Sequence, residues 1–151
     1  MIRLKRTDST NTDFIALVKK LDADLAIRDG EDHSFYDQFN KIDTIKHVVV
    51  AYNEANNPVG CGAIKQYNEE SMEVKRMFVP LANRGKGIAV IVLQELESWA
   101  LELKNTKCIL ETGVKQPEAI SLYKKSGYQI IENYGQYAGV ENSVCFEKLL
   151  V

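Results

Sequence analysis

Apolar and polar positions change rhythm several times along the chain, and each rhythm predicts an element. The opening MIRLKR alternates apolar and polar, the period of a half-buried strand. Cap-forming residues follow in DSTNTD. Phe14, Leu17, Val18, Leu21 and Leu25 then share one face at helical spacing, with Gly30 as the expected stop. HSFYDQFNKI predicts a second, short helix. KHVVVAYN and PVGCGAIKQY predict a hairpin with Asn56, Asn57 and Pro58 in or near its turn. A second turn in YNEES leads to the strand MEVKRMFV. Ile88, Val92, Leu96, Trp99 and Leu103 mark one face of a long helix. KCILETG predicts a short buried strand. QPEAISLYKKSG predicts a helix with Pro117 in its first turn and Gly127 at its end. YQII and NSVCFEKLL predict the last two strands.

The expected order is β-α-α-β-β-β-α-β-α-β-β. A strand–helix–strand run inside it implies one parallel pair in a mixed, mostly antiparallel sheet flanked by helices. No repeat or linker divides the chain, so residues 1–151 are expected to form a single domain. That length buries a sizeable core.

Composition excludes several function classes. Lys plus Arg number 19 and Asp plus Glu 21, for a net charge of −2. This balance gives no global attraction to nucleic acid or to an anionic membrane. No apolar run is long enough to cross a bilayer and the first residues carry no apolar signal region, so a cytoplasmic location is expected. Cys61, Cys108 and Cys145 stand apart with no CxxC pair, which suits reduced core residues better than a zinc site or a disulfide framework. No metal is expected.

The candidate chemistry begins at Arg84-Gly85-Lys86-Gly87-Ile88-Ala89, between a predicted strand and a predicted helix. A helix N-terminus offers unpaired N–H groups and a partial positive charge. Two glycines let an anion approach those groups, and Arg84 and Lys86 add charged donors. The loop reads as a phosphate cradle or as a tight turn with two solvated cations. The P-loop pattern fails, because Lys86 precedes Gly87 and no Ser or Thr follows in place. The dinucleotide fingerprint is half met, because Val90 stands where a third glycine belongs.

The hexapeptide resembles the [QR]-x-x-G-x-[GA] loop of the GCN5-related N-acetyltransferase (GNAT) superfamily. The resemblance runs from about Val48 to Leu149 and includes EVKRMFV, CILETG and AISLYKKSGY. It implies a small, single-domain enzyme that moves an acetyl group directly from acetyl-CoA to an amine. The cofactor would lie on Met77, Phe78 and Val79, which pair with its pantetheine arm as an added strand, and on Arg84, Gly85, Lys86, Gly87, Ile88 and Ala89, which hold its pyrophosphate. Family members often carry a bulge in that strand that aims an N–H at the thioester carbonyl. Tyr123 matches the acid that protonates the leaving thiolate. Taken alone it would read as a packed helix tyrosine. Glu73 matches a carboxylate base of the histone acetyltransferase branch, with a solvent-facing strand residue as the alternative. Glu111 is a second candidate. Gln116 stands where many members have an Asn that contacts pantetheine.

Resemblance to a bacterial subgroup sharing PVGCGA, EVKRMFV, LETG and the pattern across Tyr134–Leu149 identifies no acceptor. Lys75 and Arg76 are adjacent cations in a strand expected to be largely buried. Strand alternation sends them to opposite faces, so one is expected to meet an acceptor carboxylate and the other a structural acid. Glu111 and Tyr134 are the remaining acceptor-site candidates, with Tyr137, Phe35, Tyr36 and Phe39 as further aromatics. The expected partner is a small-molecule primary amine. A homodimer remains open, as do a protein or peptide acceptor, which the acids of RDGEDH would suit, and an acyl-CoA-binding regulator without turnover.

Overall fold

The computed structural model describes residues 1–29 and 44–151. The expected stop at Gly30, the short helix over 33–42, the acids beyond Asp29 and the aromatics Phe35, Tyr36 and Phe39 lie outside the described residues. The described elements are β1 (Arg3–Thr7), α1 (Thr12–Asp29), β2 (His47–Tyr52), β3 (Pro58–Gln66), β4 (Ser71–Phe78), α2 (Ile88–Glu102), β5 (Lys107–Gly113), α3 (Pro117–Lys125), β6 (Gln129–Ile131) and β7 (Ser143–Leu149). Short 3-10 turns lie at Leu81–Asn83 and Gly135–Tyr137. The strands form one sheet in the order β1-β2-β3-β4-β5-β7-β6. Every neighbouring pair is antiparallel except β4 and β5. This is the expected mixed sheet.

Helices cover both faces. Asn11 caps α1 by accepting the Phe14 N–H at 2.9 Å. Phe14, Leu17, Val18 and Leu21 then bury against Val48, Val50, Cys61, Ala63 and Phe78. Val49 and Ala51 point the other way and join Val92, Leu93 and Leu96 of α2 and Tyr123 of α3. The strict alternation along β2 explains why VVVAY is apolar throughout: neither face meets water. Leu103 departs from expectation. The helix ends at Glu102, and Leu103 caps it, 39% exposed, instead of extending its apolar face.

Two features of β4 shape the groove beside it. Its pairing with β5 covers only Ser71↔Lys107, Met72↔Cys108 and Glu73↔Ile109. Its pairing with β3 slips between Cys61↔Phe78 and Ala63↔Lys75, so β4 carries one extra residue. This is a β-bulge, and Arg76 sits in it at φ 60°. A non-glycine residue in that region costs about 1–2 kcal/mol. The cost is offset locally. Arg76 pairs with Asp22 of α1 at 3.4 Å, and the Cys61 thiol donates to the Arg76 carbonyl at 3.4 Å.

Gly62 lets α2 lie close on the sheet opposite the bulge. A Cβ there would stand 2.5 Å from Met77 Sδ and 2.8 Å from Leu96 Cδ1. Gly62→Ala is expected to destabilise the protein by about 1–3 kcal/mol, as overpacking does. Urea unfolding would read this as a lower midpoint with an unchanged slope.

Candidate functional site

Beyond Glu73 the strands β4 and β5 separate, and the space between them is a groove. Its narrow part is a cavity of about 110 Å³ lined by Val74, Arg76 and Met77 of β4, Glu111 of β5, Gln116 and Tyr123. Its wide part is a cleft of about 440 Å³ that reaches Phe78, Val79, Arg84, Gly85, Gly87 and Ile88. Leu21, Met77, Gln116, Ala119 and Tyr123 line both parts, so the two are continuous. The wide part is of the size of a small-molecule site.

The glycine loop forms the outer end. Gly85 and Gly87 have φ of 79° and 77°, where an L side chain is strained. Gly87 is the N-cap of α2, with no side chain capping it. A Cβ on either glycine would meet nothing within 4 Å among the described residues. The first N–H groups of α2 therefore open onto free space beside the cleft, a geometry that receives an anion. Arg84 is placed differently from a simple phosphate donor. Its Nε donates to the Val79 carbonyl at 2.8 Å, and its Nη2 lies 4.0 Å from Asp24. It thus ties the loop to the end of β4. Lys86 is exposed.

The rim of the wide cleft carries an ion pair that sequence reading misses. Arg28 of α1 donates to both oxygens of Glu118 at 2.7 and 2.9 Å and lies 3.2 Å from Asp24. Hydrogen bonding to Arg28 holds the Glu118 carboxyl down at about 2. The partners are 90 residues apart in sequence, and neither stands in a motif, so no local signal marks the pair.

Tyr123 is buried at the junction of the two parts, on the face of α3 that packs against the core. Pro117 at the first position of α3 and the turn at Ser126 and Gly127 set this face. Burial raises the phenol well above its ordinary pKa, and the charge of Glu111 adds to the effect. The hydroxyl is thus held protonated. Gln116 is the N-cap of α3 without capping by its side chain, and it lines both parts.

The two glutamates are separated by the splay. Both alternate onto the face that carries α1, but only Glu111 lines the cavity. Glu73 is 8% exposed, accepts the Tyr134 hydroxyl at 2.6 Å and lies 3.9 Å from Lys75. It is neither a solvent-facing residue nor part of either lining. Tyr134 is held by that bond and by edge contacts with Tyr67 and Tyr137. The expected divergence of Lys75 and Arg76 to opposite faces does not occur. The bulge interrupts the alternation, so both cations meet acids on the α1 side, and Arg76 alone reaches the cavity. The three cysteines are buried, and burial pushes the Cys61 and Cys108 thiols up to about 12, far from a reactive thiolate.

Residues 15–128 match the profile of the acetyltransferase (GNAT) family. An IAA acetyltransferase of Azospirillum brasilense is 40% identical over 93 residues, which cover 61% of this chain and 61% of the relative. An uncharacterised N-acetyltransferase of Bacillus subtilis is 32% identical over 99 residues, covering 64% of this chain and 66% of the relative. The match thus spans under two thirds of either relative. A Klebsiella pneumoniae structure, provisionally assigned as an acyl-CoA N-acyltransferase, superposes with a TM-score of 0.85 at 29% identity, covering 100% of this chain and 99% of that one. An IAA acetyltransferase from Bacillus cereus shares the fold, with a TM-score of 0.71 at 17% identity over 99% and 100% of the two chains.

The open space at Gly87 makes a clean substitution test. In Gly87→Val the added Cβ meets no atom of the described residues within 4 Å and the side chain would crowd an anion at the helix end, while the positive φ costs about 1–2 kcal/mol of stability. Calorimetric titration is expected to show CoA affinity reduced at least tenfold in a folded variant. An unchanged affinity would make the loop a turn and nothing more.

Proposed function

Because the chain belongs to the GNAT acetyltransferase family, we propose that it transfers an acetyl group from acetyl-CoA to the primary amine of a small molecule, by direct attack of nitrogen on the thioester. One observation carries the reading. An anion-receptive helix end, a gap between two parallel strands and a buried tyrosine lie along a single continuous groove.

Each part has a task on this reading. The N–H groups from Gly85 to Ala89 hold the pyrophosphate, with Lys86 adding charge and Arg84 fixing the loop. Beyond Glu73, β4 has lost β5 as a neighbour, so Met77, Phe78 and Val79 are available to pair with the pantetheine amides as an added strand does. Gln116 meets the same chain from α3. A bulge such as the one at Arg76 can turn a backbone N–H toward a groove, and an N–H so placed would suit the oxyanion that forms when nitrogen adds to the carbonyl. Tyr123 donates to the departing sulfur. A tyrosinate is a stronger base than a thiolate, so this donation goes forward only if the adduct's nitrogen returns a proton to Tyr123 in the same step.

Arg76 is the cation of the pair that an acceptor carboxylate would meet. An amino acid is therefore expected to be used better than its decarboxylated amine, and Arg76→Met to remove the difference. A wild-type preference for polyamines would count against this refinement.

Free-thiol release from acetyl-CoA across amino acids, polyamines, aminoglycosides and a lysine peptide tests the reading itself. Binding of CoA with no release by any amine would reduce the protein to a ligand-binding module. Tyr123→Phe keeps the ring and is expected to lower the single-turnover rate by roughly 10²–10⁴-fold, with CoA affinity unchanged. A normal rate in the folded variant would remove Tyr123 from the mechanism.

A further inference from the structure

The charged rim of the wide cleft has no task in the transfer step, yet it lies across the entrance. We propose that Arg28 and Glu118, with Asp24 beside them, form a strap over the mouth of the slot between β4 and β5, which opens to admit acyl-CoA and closes over its pantetheine arm. This inference rests on the acyl-CoA reading of the groove.

Topology puts the strap there. Val48, Val50 and Ala63 face α1, whereas Tyr123 of α3 packs with Val92 and Leu96 of α2, so α1 and α3 lie on opposite faces of the sheet. Arg28 in the last turn of α1 nevertheless reaches Glu118 in the first turn of α3, at 2.7 and 2.9 Å. A sheet continuous at this point would keep the two apart. The strands have already parted, because the pairing of β4 with β5 stops at Glu73↔Ile109.

The charges run on to the other side of the slot. Arg28 Nε lies 3.2 Å from Asp24, and Asp24 lies 4.0 Å from Arg84, whose own Nε donates to the Val79 carbonyl at 2.8 Å. Glu118 follows β5 in the chain and Arg84 follows β4, so the series crosses the mouth from one strand's side to the other's. All four residues line the wide part of the groove, whose volume of about 440 Å³ persists with the pair joined. The strap thus crosses the space without filling it, and an arm fits beneath.

An arm that pairs along β4 as an added strand is laid in from the side, so it meets the strap on entry and again on exit. Opening is easy: the Arg28 side chain is 22% exposed and that of Glu118 61%. A bidentate pair of this kind, at the upper end of what exposed pairs contribute, is closed roughly five times as often as it is open. It closes on the free and on the loaded protein alike. Breaking it therefore speeds entry and exit by the same factor and leaves affinity unchanged. An arginine that bound a phosphate of the ligand would act otherwise, since its loss weakens binding.

Stopped-flow mixing with acetyl-CoA reads both rates. In the double variant Arg28→Met with Glu118→Gln, which keeps the net charge, the association and dissociation rate constants should rise together by roughly fivefold, with Kd unchanged. Unchanged rates would overturn the strap. So would weaker binding in Arg28→Met alone with tighter binding in Glu118→Gln alone, which would make Arg28 a phosphate ligand. A second experiment makes the strap permanent. Arg28→Cys and Glu118→Cys are introduced together and joined by a bifunctional maleimide with a cleavable disulfide spacer, while the three native cysteines are buried and do not compete. Joined over bound acetyl-CoA, the protein should carry the ligand through desalting and release it on reduction. Joined beforehand, it should bind none until reduced. Free exchange of acetyl-CoA in the joined protein would show that the arm threads past, and the proposal would fall. Wild-type protein that binds no acetyl-CoA would remove the acyl-CoA reading of the groove, and the strap with it.

Discussion

The structure depends on how briefly β4 and β5 pair. Three residue pairs join the parallel strands, and then one inserted residue, Arg76, bends β4 away. A sheet closed along its whole length would bury its backbone groups in its own ladder and leave no slot between these strands. The bulge instead exposes a strand edge in the middle of the sheet, where edges are otherwise absent, and leaves it free for a ligand to pair with. The strain at Arg76 is supported from two sides, by Asp22 of α1 and by the thiol of Cys61. Strain held in place at a groove is the pattern expected of a working site, and here it is an observed backbone outlier rather than an inference from function.

Around that slot the charges are arranged in balance. Arg28 joins Glu118 across the rim and lies beside Asp24, which also faces Arg84. Exposed pairs of this kind contribute little to stability. On the proposed reading they keep two carboxylates near the glycine loop from repelling an incoming anion. Deeper in, the balance shifts. Glu73, Glu111 and three tyrosines gather over one face of β4, β5 and β7, with Arg76 and Lys75 as the cations among them. That polarity suits an acceptor that arrives as an ammonium ion and must lose a proton before it reacts.

Much of this was legible in the chain. Element order followed from period and punctuation because both faces of the sheet are covered by amphipathic helices. The glycine loop stood out because only glycine readily accepts the φ values of 79° and 77° found there. Tyr123 was visible through its setting in AISLYKKSGY. What could not be read was geometry produced by distant contacts. Nothing in VKRM announces that Arg76 takes a positive φ, so strict alternation wrongly sent Lys75 and Arg76 to opposite faces. In sequence Glu73 matched a family carboxylate base and Glu111 stood second, although both sit mid-strand on the same face. Only the point at which the strands part distinguishes them. Leu103 kept the helical period but fell one residue past the helix end.

The central claim is that acyl-CoA lies along the opened edge of β4 with its pyrophosphate on the glycine loop. Amide hydrogen exchange with and without acetyl-CoA tests it most directly, because it reads the proposed contacts residue by residue. Added acetyl-CoA should slow exchange at residues 76–79 and 85–89, and leave the β1–β2 and β6–β7 pairs unchanged. Binding without protection at both segments, or protection centred elsewhere in the chain, would contradict the account.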